Sequence, residues 1–207
     1  MSDASSMTAA GAVVEDLARA DLYALFARLF YTGPDSGLLA AVANLQNVGG
    51  ANAREATLPL ALRNLADASA AATPAALQRE FDEIFIGTGK AMVTPYCTFY
   101  IVQTGREKLL VRLRQDLDRL RLSRRQSARE PEDHIAALLE VMRHLTMDAQ
   151  AETTLPEQRM IFGRYLQPAY AGFCDAVEAC DRAQFYCTAA AGMRTFLDIE
   201  AEAFRLS

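Results

Sequence analysis

Glu130-Pro131-Glu132-Asp133-His134-Ile135-Ala136-Ala137-Leu138-Leu139-Glu140-Val141-Met142 carries the sharpest local signal in the chain. Ile135, Leu138, Leu139, Met142 and Leu145 recur at steps of three and four, the period of a helix with one apolar face. Proline suits the first helical position, and acidic residues there meet the positive end of the helix dipole. The spacing therefore predicts a helix that opens at Glu130-Pro131.

The same period runs outward in both directions. Upstream, Val14, Leu17, Leu22, Leu25, Phe26 and Leu29 predict one apolar face of a helix over roughly 10–31, stopped by Gly33-Pro34. Ser36 is positioned to cap a short helix carrying Leu38, Leu39, Val42 and Leu45, which Gly49-Gly50 ends. Leu58, Leu62 and Leu65 mark a third helix. Thr73-Pro74 reads as N-cap and first position of a fourth, with Leu77, Phe81, Ile84 and Phe85 inward. Residues 87–99 read as a loop with an aromatic tail of Tyr96, Phe99 and Tyr100. Leu109, Leu110, Leu113, Leu117 and Leu120 then mark a long helix.

Downstream, Pro156 opens another helix and Pro168 bends or restarts it. The last helix runs from about Ala183 to Phe204, with Phe185, Met193, Phe196, Leu197 and Phe204 inward. No segment alternates like a strand. The expectation is an all-α, single helical-bundle domain of seven to nine helices spanning 1–207. Ser123 to Arg129 is polar and aperiodic, so a hinge near 123–130 would separate an N-terminal portion (about 8–122) from a C-terminal one (about 130–207).

Composition narrows the function. Of the 207 residues, 51% are hydrophobic and 23% charged, ordinary proportions for a folded chain. The net charge of −5 weighs against a nucleic-acid binder. Residues 104–129 carry nine of the 21 basic side chains and three of the 26 acidic ones, a local +6 that leaves −11 elsewhere. Glu107, Asp116 and Asp118 interleave that basic run and stacking aromatics are absent, so it reads as a solvated helix face or a contact for an acidic partner. No apolar run approaches the ~20 residues that span a bilayer. Met1 to Ala10 lacks the pattern of a secretory signal, so a cytoplasmic protein without stable membrane insertion is expected.

The four cysteines form no CxxC pair and read as small hydrophobes. Gly87-Thr88-Gly89-Lys90 lacks the first glycine of a phosphate loop and reads as a turn. No cofactor or metal is expected.

Two constellations remain. In Glu130-Pro131-Glu132-Asp133-His134, exposed carboxylates can take guanidinium groups through bidentate hydrogen bonds, or simply complement the dipole. A metal on Asp133, His134 and Glu140 is disfavoured because adjacent residues diverge by ~100° around a helix. In Thr94-Pro95-Tyr96-Cys97-Thr98-Phe99-Tyr100, proline and aromatics can form a rigid wall for a peptide, or tuck into the core. An all-helical transcription regulator is the first alternative. It would need a basic recognition helix near the N-terminus, where acidic side chains outnumber basic ones over 1–60. A metal-dependent enzyme is the second alternative, and neither a metal motif nor an activated nucleophile supports it.

These motifs resemble, in order along the chain, the TorD/DmsD family of NarJ-like chaperones for molybdenum enzymes. The resemblance rests on Tyr23 to Phe30, on Phe81-Asp82-Glu83-Ile84-Phe85-Ile86-Gly87 with Pro95-Tyr96 and Tyr100, and on Glu130-Pro131-Glu132-Asp133-His134-Ile135-Ala136 with Leu139-Glu140-Val141-Met142. Phe185-Tyr186 with Phe196-Leu197 completes it. It implies an all-helical, non-enzymatic chaperone. Such a protein binds the N-terminal leader, often a twin-arginine signal peptide, of a molybdopterin oxidoreductase catalytic subunit. It holds that subunit until cofactor insertion and folding are complete, before export. It also implies a leader site at Asp133, His134, Pro95 and Tyr96. The two guanidiniums and apolar segment of such a leader call for carboxylates beside an apolar groove, which are Asp133 with Glu132 and Glu130 near it, and Pro95, Tyr96, Phe81 and Phe85 as its lining. His134 would donate a hydrogen bond or brace the loop, its protonation near neutral pH tuning affinity. Relatives occur as monomers and as swapped dimers, and a monomer is expected here. The family loop commonly carries an acid and a serine where Cys97 and Thr98 stand. The frequent His-Leu-x-Pro-Trp pattern reads Tyr165-Leu166-Gln167-Pro168-Ala169. The basic segment ends at Arg129, beside the acidic start. Arg124, Arg125 and Arg129 are therefore the expected self-pairing partners of an empty site.

Overall fold

A computed structural model describes residues 2–47, 57–87, 89–123, 130–147 and 151–206. The described residues form α1 (Ser2–Tyr31), α2 (Ser36–Ala43), α3 (Thr57–Ala71), α4 (Pro74–Phe81), α5 (Cys97–Ile101), α6 (Arg106–Arg119), α7 (Ile135–Met147), α8 (Ala151–Ile161), α9 (Gln167–Glu178) and α10 (Phe185–Leu206). A π-turn over Phe162–Leu166 joins α8 to α9, so these two make one bent rod and the described segments make nine helices. A second π-turn, Asp82–Ile86, extends α4. The fold is all-α, as the periodicity requires.

α1 lies along α7, while α10 packs on α3 and α9. The two portions flanking 124–129 therefore share one core. Phe30, Phe81, Phe85, Phe173 and Tyr186 form its aromatic centre, with neighbouring ring centroids 5.1–6.2 Å apart. Tyr23 and Phe26, further toward the start of the same face of α1, meet Phe196. These rings are large contributors to the driving force, because each large side chain removed from water contributes roughly 1.5–3 kcal/mol.

Two buried carboxylates tie the helices together. Glu200 of α10, 3% exposed, accepts from Arg19 Nε and Nη2, each at 2.8 Å, and from the Tyr23 hydroxyl at 2.7 Å. Asp116 of α6, 2% exposed, accepts from Tyr165 at 2.6 Å, Arg164 at 2.5 Å and Arg119 at 3.0 Å. Burial alone would raise the Asp116 pKa, but the bonds from Tyr165 and Arg164 outweigh it and the pKa is lowered. Asp116 therefore does not belong to a solvated face; it anchors α6 to the π-turn.

Several boundaries depart from the periodicity. Val14 and Leu17 are exposed, and the inward face of α1 is Ala20, Tyr23, Phe26, Ala27, Leu29 and Phe30, the side that meets α7 and α10. Asp35, not Ser36, caps α2, its carboxylate accepting from the Leu38 N–H at 2.7 Å. Thr73 and Pro74 open α4 as expected. The loop after Gly87 contains a helical turn, α5. Pro156 lies inside α8 rather than at its opening; Thr154 and Gln158 bond the Leu145 carbonyl and hold this part of α8 against α7. Gly87 does sit in a turn: its φ is +65°, and a Cβ there would collide with the Lys90 carbonyl. Of the four thiols, Cys97 and Cys174 are buried and Cys180 and Cys187 half-buried, all free. Gly49-Gly50 and most of the expected hinge, 124–129, lie outside the described residues.

Candidate functional site

α7 begins at Ile135, so Glu130 to His134 precede the helix instead of forming its first turn. The reason is tertiary. Tyr96 and His134 form an isolated antiparallel bridge, in which the Cys97 N–H donates to the Asp133 carbonyl and the Ile135 N–H to the Pro95 carbonyl, each at 2.8 Å. Residue 134 is thereby held out of the helix until its carbonyl receives the first intrahelical bonds, from Ala137 and Leu138. His134 is the N-cap of α7. Its Nδ1 accepts from the Ala136 N–H at 3.2 Å, the role usually taken by a small oxygen-bearing side chain.

The bridge joins the two constellations that the sequence presents separately. Asp133, 4% exposed, accepts from the Thr98 hydroxyl at 2.5 Å. Tyr31 and Tyr96 pack edge-on to the His134 ring at 5.9 and 5.8 Å. The Tyr96 hydroxyl donates to Glu130 Oε2 at 2.8 Å; burial and Glu130 push its pKa up to about 12, so it stays a donor. His134 is 3% exposed, and burial pushes its pKa down to about 4 against a smaller upward pull from Glu130. The ring is neutral at pH 7 and Nδ1 accepts; protonation near neutrality does not occur.

In front of this unit lies a groove of about 740 Å³. The end of α1 (Ala27, Arg28, Tyr31), the turn Thr32 to Asp35, and Leu38 form one side. Leu117, Leu122 and Ser123 close another, and Glu130-Pro131-Glu132 with Ala136, Ala137, Glu140, Val141 and Arg143 form the third. Leu38, Leu117, Leu122, Ala136 and Val141 give it an apolar floor; Asp35, Glu130, Glu132 and Glu140 are its acids. Each acid already holds a partner. Glu132 pairs with Arg114 at 3.0 Å, Glu140 with Arg143 at 2.8 Å and Asp35 with Arg28 at 3.5 Å, while Glu130 takes the Tyr96 hydroxyl.

Of the residues singled out in the sequence, Glu130 and Glu132 line the groove. Asp133, His134, Pro95 and Tyr96 stand behind it as one hydrogen-bonded unit. Phe81 and Phe85 do not join them: they are buried in the aromatic core, against Tyr186. Arg28, Tyr31, Asp35, Leu122 and Arg143 also line the groove, although no motif in the sequence marks them as site residues. The local hint is the Gly33-Pro34 break, since the turn Thr32 to Asp35 lines the groove. Arg124, Arg125 and Arg129 lie outside the described residues; the pairing arginines that are described are Arg28, Arg114 and Arg143.

Among the described residues, no helix is long and apolar enough to cross a membrane. None of the curated proteins matches the sequence. Among solved structures, a protein from Archaeoglobus fulgidus described as a redox enzyme maturation protein superposes with a TM-score of 0.59 at 25% identity. The match covers 87% of this chain and 93% of that one. The family model for the nitrate reductase delta subunit matches residues 51–175, more than half of the chain, including α3 to α7 and the bridge between Tyr96 and His134. The chain thus belongs to the nitrate reductase delta subunit family, and its family and fold are those of a redox enzyme maturation chaperone.

Proposed function

We propose that this chaperone binds the N-terminal, twin-arginine-type leader of a molybdopterin oxidoreductase in the groove between α1 and α7. It holds that subunit in the cytoplasm until cofactor insertion and folding are complete. The observation that carries the reading is the rim of four carboxylates, Asp35, Glu130, Glu132 and Glu140, around an apolar floor. A twin-arginine leader offers the complement, two guanidinium groups followed by an apolar segment. Binding is then an exchange. A leader guanidinium replaces Arg114 on Glu132 or the Tyr96 hydroxyl on Glu130, while the apolar segment covers Leu117, Leu122, Ala136 and Val141.

Exchange sets the magnitude. A hydrogen bond to a charged group contributes about 1.5–3 kcal/mol, but an exposed ion pair given up in return returns ~0–1. Each arginine is therefore worth a net of about 1–2 kcal/mol, or roughly five- to thirtyfold in affinity. Calorimetry with a synthetic leader from the client enzyme tests this. Binding that weakens at higher salt is expected, with a loss of at least about fivefold when one arginine becomes alanine and a smaller loss when it becomes lysine, which keeps the charge but lacks the bidentate fork. Equal affinity for a leader with both arginines replaced by alanine would refute the proposal.

A further inference from the structure

We infer that Asp133 and His134 are positioning residues that set the groove acids in place, and that Glu130 and Glu132 are the groups that meet the leader's guanidinium. This rests on the leader reading above and divides its site into contact and support. Asp133 has its carboxylate turned away from the groove onto Thr98, and its backbone carbonyl engaged by the Cys97 N–H. A guanidinium reaching Asp133 would have to displace Thr98 inside a buried bridge. His134 has Nδ1 committed to the Ala136 N–H and its ring held between Tyr31 and Tyr96. Glu130 and Glu132, one to four residues ahead in the same turn, line the groove.

The coupling is mechanical. The bridge fixes the chain at 133–135, and the Pro131 carbonyl, bonded by the His134 N–H at 3.1 Å, fixes the turn that carries both glutamates. Tyr96 spans the two layers, contacting His134 with its ring and Glu130 with its hydroxyl. Thr98, at a position where the family resemblance places a serine, supplies the hydroxyl that keeps the Asp133 carboxylate satisfied away from solvent.

The experiment compares Asp133→Asn, Asp133→Ala, Thr98→Val and Glu132→Gln in the full chain, with two readouts. The first is leader affinity as a function of salt. Asp133→Asn keeps an acceptor for Thr98 while removing the charge, so affinity within twofold of wild type and an unchanged salt slope are expected. Glu132→Gln should bind more weakly and flatten the slope. If Asp133→Asn weakens binding and flattens the slope as Glu132→Gln does, Asp133 is a contact residue and the inference is overturned. The second readout is amide hydrogen exchange at Cys97 and Ile135, which needs no ligand. Asp133→Ala and Thr98→Val should accelerate both amides by about tenfold, the scale of one lost buried hydrogen bond, while Asp133→Asn should not. Unchanged exchange in Asp133→Ala refutes the support role. If wild type binds no leader while the exchange pattern holds, the leader reading fails and the support role stands.

Discussion

Replacing His134 by asparagine should remove a specific acid sensitivity from this protein. Asparagine is a favoured N-cap and can keep a bond to the Ala136 N–H, but it does not titrate. In the wild type, burial among Tyr31, Tyr96 and the chain at 133–135 lowers the His134 pKa to about 4, from 6.5 in the unfolded chain. Glu130 is the charged group pulling the other way. Because the folded pKa lies below the unfolded one, the unfolded state binds more protons between pH 6.5 and pH 4. The stability contribution is complete above pH 6.5 and is lost as pH falls through that window. From those two pKa values, about 2 kcal/mol should be lost between pH 7 and pH 5. Urea denaturation of both proteins at pH 7, 6 and 5 measures it, and taking the difference cancels the carboxylates they share. The His134→Asn variant should lose about 2 kcal/mol less than wild type over this range. Parallel pH dependences would show that His134 is not held neutral, and would refute the capping geometry.

Among the described residues, Arg19→Ala leaves buried Glu200 with the Tyr23 hydroxyl as its hydrogen-bond donor. A loss of about 3–5 kcal/mol is expected for breaking such a pair, with Glu200→Gln costing less; thermal denaturation decides, and a change under 1 kcal/mol would show that water reaches Glu200. Phe85→Ala removes the ring that meets Phe30, Phe81, Phe173 and Tyr186, and should cost about 3–5 kcal/mol of stability. Leader affinity of the folded fraction should stay unchanged, and a selective loss of affinity at full stability would put Phe85 back in the groove.

How legible the site was depends on the range of the interactions that make it. The capping pair Thr73-Pro74 and the inward positions of α7 and α10 follow from contacts three or four residues apart, and the sequence displays them directly. Glu130 and Glu132 were legible as a cluster of acids. Their separation from Asp133 was not, because Thr98 lies 35 residues away and nothing local says that its hydroxyl faces a carboxylate. The start of α7 was misplaced for the same reason: dipole and proline favour Glu130-Pro131, but pairing with Tyr96 overrides them. Phe81 and Phe85 could not be told from groove residues, since an aromatic at helical spacing suits either place.

An all-helical chain, most of its inward faces and the family motif around Asp133 and His134 are legible from residue order alone. These are properties of periodic and contiguous side chains. Which acids line the groove is set by the tertiary fold. It brought the end of α1, the end of α6 and the turn at 130–132 around one groove, and turned Asp133 inward onto Thr98. It also buried Asp116 and Glu200, because arginine and tyrosine partners 48 to 181 residues away satisfy them. A carboxylate is buried or exposed according to whether such partners reach it, and that depends on how helices cross, not on the residues beside it in the chain.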